Sequence, residues 1–229
     1  MQTLITGANR GLGLEFTRQC LARGERVLAT ARDPGHAQAL NRLAGEYPGH
    51  LTVLPLDMTQ PASIEALASE IALLGVSVQR WVANAGVLHR GERFGTLDAA
   101  TLEHAWRVNT LGPLLLAQAL TPQLPSGARV VFLSSILGSI SARDSFYVPG
   151  YCISKAGLNM VMRQLSYAWA PKGILTIAAH PGWVRTEMGG EQAPLLPEQS
   201  VSDLLRLIDN LTPDHHGRFY AHDGTALAW

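Results

Sequence analysis

The chain has 229 residues, 47% of them hydrophobic and 16% charged, enough apolar mass to bury one large core. Its 18 basic side chains match its 18 acidic ones, so no general field draws it to nucleic acid or to an anionic membrane, and a small molecule is the expected partner. Cys20 and Cys152 are the only cysteines; they form no disulfide framework and no zinc-ligand spacing with histidine, so no metal is expected and a reducing, cytoplasmic setting is.

Residues 1–5 read as a strand with no basic leader or long apolar run ahead of it, and they lead into Thr6-Gly7-Ala8-Asn9-Arg10-Gly11-Leu12-Gly13. Helical character follows from Leu14 to Leu21. Glycines at 7, 11 and 13 allow a sharp turn and close backbone approach to a pyrophosphate, with the free N–H groups of a helix N-terminus beside it. Their spacing is not the common G-x-G-x-x-G, so taken alone they fit a plain strand-to-helix turn equally well. A second strand, 26–30, ends in Ala31-Arg32, without the acidic side chain that binds a ribose 2′-hydroxyl. Arg10 and Arg32 instead offer two planar donor forks to a 2′-phosphate, which favours NADP(H) over NAD(H).

A helix is expected over 35–46, then a strand over 51–56 finishing at Asp57-Met58. Asp57 either meets an adenine amino group or caps a local turn. Thr59 and Pro61 start the next helix, with Ile64, Leu67, Ile71 and Leu74 as its apolar stripe. Strand 79–83 runs into Asn84-Ala85-Gly86, small enough for close packing against a cofactor, with the Asn84 amide placed to tie strand ends together. A long helix over 100–120 contains Asn109-Thr110-Leu111-Gly112-Pro113. Pro113 cannot donate to the Asn109 carbonyl, so either a packing kink or a bend with a free acceptor that holds a water is expected there.

Strand 129–133 ends in Ser134-Ser135. Either hydroxyl satisfies turn backbone or polarises a substrate oxygen; no Gly-x-Ser-x-Gly elbow surrounds them, which argues against an acyl hydrolase. After a loop over 138–150 comes Tyr151-Cys152-Ile153-Ser154-Lys155, in a chain with only two lysines. It sets a phenol and an ammonium one helical turn apart, and a nearby cation should lower a phenol pKa from its usual value of about 10. Leu158, Met162, Leu165 and Trp169 form a stripe expected in the core or a subunit interface. Strand 174–179 leads to His180-Pro181-Gly182-Trp183-Val184-Arg185-Thr186, where His180 reads as structural. A flap over 187–200 without a clear period, a helix over 198–211, a solvated turn at His215-His216 and a short strand over 218–221 complete the chain.

Alternating strands and helices specify an α/β, single-domain Rossmann fold, a doubly wound parallel sheet of about seven strands with helices on both faces. With Gly7/Gly11/Gly13, Asn84-Ala85-Gly86, Asn109, Ser135, Tyr151, Lys155 and Pro181-Gly182 in this order, the chain resembles the short-chain dehydrogenase/reductase family over its full length. Thr6 to Gly13, His180 to Gly190 and the ending in Phe219 to Gly224 and Trp229 look most like C-factor and sniffer-type carbonyl reductases. The resemblance implies Tyr151 as acid/base, Lys155 as its pKa-lowering neighbour and ribose ligand, Ser135 as the group polarising the carbonyl, and Asn109 as a water holder. It implies cofactor binding by Gly7, Asn9, Arg10, Gly11, Leu12, Gly13, Arg32, Asp57, Met58, Asn84, Ala85, Gly86, Tyr151, Lys155, Pro181, Gly182, Val184 and Thr186. The sixteen positions from Ser135 to Tyr151 exceed the family's usual spacing and leave Ser134 as the alternative serine. The expected activity is NADPH-dependent reduction of a small aldehyde, ketone or quinone. An NAD-linked alcohol dehydrogenase and a C-factor-like signalling protein that binds the dinucleotide are the other two readings. By analogy a homodimer or homotetramer is expected, with neither nucleic acid nor membrane as partner.

Overall fold

A computed structural model describes residues 1–229. Seven strands, β1 (Gln2–Ile5), β2 (Arg26–Ala31), β3 (Leu51–Pro55), β4 (Arg80–Ala83), β5 (Arg129–Leu133), β6 (Leu175–His180) and β7 (Phe219–Ala221), form one sheet in the order β3-β2-β1-β4-β5-β6-β7. All neighbours are parallel. The central strands β1 and β4 are buried at every residue, while the edge strand β3 buries Leu51 and Leu54 but exposes Thr52 and Pro55, the pattern expected when helices cover both faces of the middle but only part of the margin. Two apolar layers result. One, of 28 residues, gathers Leu4, Trp81, Phe132, Leu158, Met162 and Trp169; the other, of 23, gathers Ile5, Phe16, Val82, Val131, Leu204 and Ile208. Adjacent residues of β1, β4 and β5 thus contribute to opposite layers, as a strand's two-residue period requires.

The helices are α1 (Gly11–Ala22), α2 (Gln38–Glu46), α3 (Pro61–Leu73), α4 (Ala99–Trp106), α5 (Gly112–Leu120), α6 (Pro149–Trp169) and α7 (Pro197–Asp209). The helix expected over 100–120 is present, and the irregularity expected within it takes the form of a π-helical turn, Arg107–Leu111, between α4 and α5. The Gly112 N–H bonds the Arg107 carbonyl, five residues back, so the ladder widens just ahead of the proline that cannot continue it. The flap is also more ordered in its bonding than expected. Arg185 N donates to Leu195 O and Leu195 N to Trp183 O, Ala193 is fully buried, and α7 begins at Pro197. His215 caps the turn at Thr212, and His216 takes the Thr176 N–H and meets the Ser166 carbonyl; both are bonded in place of the solvated pair expected. The four stripe residues of α6 all lie in the core. No helix is long and apolar enough to cross a membrane.

Strand order reverses between β1 and β4. The turns after these two strands diverge there and open a crevice at the C-terminal edge of the sheet, where such sheets bind ligands.

Candidate active site

A cleft of about 1010 Å³ fills this crevice. Its floor is the glycine turn after β1 and Asn84-Ala85-Gly86 after β4. Both are held by short side chains: Thr6 Oγ1 accepts from the N–H groups of Asn84 and Ala85, each at 3.1 Å, and Asn84 Nδ2 donates to the carbonyls of Thr6 (2.8 Å) and Gly7 (2.9 Å). The structural role expected of Asn84 is thereby met. Two glycines have no room for a side chain. Gly7, at φ +65°, would place a Cβ 2.9 Å from Ala85 Cα; Gly13 would place one 2.3 Å from the Gly7 carbonyl. Arg10 stands at the N-cap of α1 in extended conformation without a side-chain cap, which leaves first-turn N–H groups of Gly11 and Leu12 for an anion in the cleft.

The adenosine end expected from the sequence is lined by Arg32, Asp57 and Met58, with Asp33, His36 and His104 beside them. Asp57 does cap its turn: Oδ1 accepts from Thr59 N at 2.9 Å and Thr59 Oγ1 at 2.7 Å. It lines the cleft as well, so its two sequence readings are compatible. Arg10 and Arg32 both line the cleft, but Arg10 is ion-paired to Glu187 across it. His89 and His104 approach with Nε2···Nδ1 at 3.0 Å.

At the other end α6 delivers Tyr151 and Lys155, both buried. Lys155 Nζ donates to the Leu133 carbonyl at 2.7 Å and lies 5.6 Å from the Tyr151 ring centroid. The expectation that Lys155 lowers the phenol pKa is not met in the chain by itself. Burial pushes Tyr151 up to about 12, opposed by its hydrogen bond with Ser135, and burial brings Lys155 down to about 8. Burial is the largest cause for both groups, and neither is among the groups that shift the other. Of the two serines, Ser134 lines the cleft, while Ser135, the one whose hydroxyl lowers the Tyr151 pKa, accepts at Oγ from Leu137 N at 3.1 Å. Ser134 is turned to the Lys155 carbonyl at 3.5 Å. Asn109 sits in the π-helical turn with its side chain fully engaged: Oδ1 accepts from Val87 N, and Nδ2 donates to Val87 O and Ser154 Oγ, at 2.8, 2.8 and 2.9 Å. The side chain ties the loop after β4 to α6, a contact the water-holder expectation did not foresee.

Gly7, Asn9, Arg10, Gly11, Leu12, Arg32, Asp57, Met58, Asn84, Ala85, Gly86, Tyr151, Lys155, Pro181 and Thr186 all line the cleft. Gly13 supports the turn from below, Val184 is buried in a bridge to Leu195, and Gly182 packs on His222 and Leu195. His180 is largely buried with Nδ1 unpartnered; burial first, then the charge of His222, brings its pKa down to about 4, consistent with a structural residue. Nothing in the local sequence marks Glu92, His89, Arg90, His104 or Glu187, which sit in polar loops or on an ordinary helix face.

This fold with this cleft defines a dinucleotide-binding oxidoreductase scaffold, and comparison with known proteins assigns the family: the model of the short chain dehydrogenases matches residues 2–195. The chain belongs to the short-chain dehydrogenase/reductase family. Within it, the chain is 36% identical over 230 residues (99% of this chain, 98% of the relative) to 1-hydroxy-2-glutathionyl-2-methyl-3-butene dehydrogenase of Rhodococcus sp. strain AD45. It is 41% identical over 148 residues (64% of this chain, 89% of the relative) to C-signal of Myxococcus xanthus. The carbonyl reductase Sniffer of D. melanogaster superposes with a TM-score of 0.95 at 30% identity, covering 100% of this chain and 99% of that one. An NADPH-bound carbonyl reductase from chicken fatty liver does so with 0.92 at 35% identity, covering 100% and 98%. The C-factor and sniffer-type branch read from the sequence is the one these relatives occupy.

Proposed function

We propose that the protein is an NADPH-dependent reductase of a small aldehyde, ketone or quinone, with Tyr151 as its acid/base. The observation that carries this reading is the pairing of the buried Tyr151 phenol and the Lys155 ammonium, with Nζ 5.6 Å from the ring centroid, at one end of a cleft whose other end carries Arg10 and Arg32. The residues fit a dinucleotide: Gly7 and Gly13 leave a cradle that a Cβ would fill, and the start of α1 offers free N–H groups to a pyrophosphate. Bound there, the nicotinamide supplies the hydride.

The chain's own residues do the rest. Ser135 and Tyr151 hold the substrate oxygen, and Ser135 donates to it as negative charge develops. Tyr151 gives its proton to that oxygen; its protonated state at neutral pH, with a pKa of about 12, suits an acid in the reductive direction. Lys155 stabilises the phenolate left behind and offers its remaining donors to a ribose hydroxyl. Arg32 and Arg10 select the 2′-phosphate, and Asp57 meets the adenine. The NADPH-bound state of a similar reductase supports this cofactor preference. The cytoplasm is the proposed location, and a homodimer or homotetramer the proposed assembly. The test is an equilibrium titration with NADPH and with NADH, followed by nicotinamide fluorescence. Tighter NADPH binding that Arg32→Asp reverses is the expected result; an NADH preference in the native chain overturns the assignment.

A further inference from the structure

We infer that Glu92, on the loop after β4, is a positioning residue for the acid/base helix: its carboxylate seats the first turn of α6 and so fixes where the Tyr151 phenol stands. The catalytic half of this inference rests on the reductase reading above, and the structural half on geometry alone.

Helix α6 starts badly on its own. Its N-cap residue is Val148, which has no side-chain oxygen, and its first residue is Pro149, which has no N–H. The first donor is therefore Gly150 N, and no local group accepts from it. Glu92 Oε2 does, at 3.1 Å, from 58 residues away in the chain. Val148 is also the only non-glycine residue at positive φ, +38°, and it is β-branched and buried. A strained residue persists where its surroundings over-determine it, and the Glu92 cap two residues along, at Gly150, is such a determinant. The carboxylate is packed onto the turn: a Cβ on Gly150 would lie 2.5 Å from Glu92 Oε1 and 2.9 Å from Leu102 Cδ2.

The same two loops touch again where Phe94 meets Phe146 edge to face, centroids 5.7 Å apart. Nearer its root, the loop after β4 is tied to α6 by the Asn109 amide, bonded to Val87 and Ser154. The loop is thus fixed to α6 at two heights, and Tyr151 lies between Gly150 and Ser154. A small displacement of this turn would move the phenol relative to Lys155, and reactions of this kind lose rate steeply with misplacement.

Glu92 Oε1 is buried and has no donor, which makes the carboxylate-to-amide change informative. Gln keeps a carbonyl oxygen for Gly150 N and loses no bond at the other position, whereas Ala loses the cap. The experiment compares E92Q and E92A by NADPH oxidation with 4-nitrobenzaldehyde, by NADPH titration, and by hydrogen exchange over residues 148–152. E92A should lower kcat about tenfold or more with NADPH affinity held within about twofold, and should raise exchange about tenfold. E92Q should stay within about threefold of the native protein in each. Unchanged exchange in E92A, or E92Q as impaired as E92A, overturns the positioning role; raised exchange with native kcat overturns its catalytic half. Absence of turnover in the native protein would instead count against the reductase reading, and the exchange data would still decide what Glu92 does for α6.

Discussion

Gly13→Ala adds one methyl group at the centre of the glycine turn. The new Cβ would stand 2.3 Å from the Gly7 carbonyl, 2.6 Å from Asn84 Nδ2 and 2.9 Å from Ala8 Cα, all well inside van der Waals contact. Two of these neighbours are backbone, and the third is pinned by its bonds to Thr6 O and Gly7 O. Relief requires shifting the turn, at the cost of overpacking strain of about 1–3 kcal/mol, or giving up an Asn84 bond worth about 1 kcal/mol. Better helix propensity returns roughly 0.8 kcal/mol. The net expectation is a loss of up to about 2 kcal/mol, which at that upper end is roughly 4–8 °C in Tm for a chain of this size. Gly45→Ala in α2 is the control, because no atom lies within 4 Å of its Cβ, and it should stabilise by about 0.5–1 kcal/mol. Urea unfolding of both variants, with NADPH titration alongside, measures the contrast. A Gly13→Ala protein with native midpoint and native dinucleotide affinity would refute the packing argument.

Glu187→Gln frees Arg10 from its ion pair; the pair is exposed and weak, so NADPH affinity should rise only about two- to fivefold, with NADH affinity unchanged, in a side-by-side titration. Glu25→Gln removes a charge from the buried network in which Arg80 bonds Glu25 and Asp209, and urea unfolding should show a loss of about 3–5 kcal/mol. NADPH affinity should be unaffected, since this network lies at the N-terminal ends of β2 and β4, opposite the cleft. His180 has a folded pKa of about 4 against about 6.5 unfolded. Its contribution is intact above about pH 6.5 and is lost as pH falls toward 4, because the unfolded chain takes up the proton first; the loss amounts to about 3 kcal/mol. Unfolding free energies measured from pH 7 to 4 should therefore fall less steeply in His180→Asn than in the native protein.

The sheet was legible because its strands are short apolar runs ending in glycine, asparagine or serine, and a parallel sheet buried on both faces demands such runs. The site residues were legible where a motif has a local physical cause: the glycines of the cradle, the Asn84 tie, the Tyr151 and Lys155 spacing on one helix face. What depends on distance in sequence was not. Nothing near Glu92 marks it as the cap of a helix 58 residues on, and nothing near Glu187 marks it as the partner of Arg10. The rise in the Tyr151 pKa in the chain by itself was not legible, because sequence spacing reveals a neighbouring cation but not the depth of burial that raises the value. The π-helical turn lay within reach, since Pro113 announces a break, but a wider turn and a simple kink share that signal.

In the proposed carbonyl reduction the Tyr151 phenol is the proton donor. The most direct measurement follows NADPH oxidation by native protein and by Tyr151→Phe across a panel of aldehydes, ketones and quinones, with NADPH affinity determined for both. The native protein should turn over, and the variant should keep native-like NADPH affinity with kcat reduced by about a thousandfold or more. A variant that binds NADPH and turns over at the native rate would contradict that role.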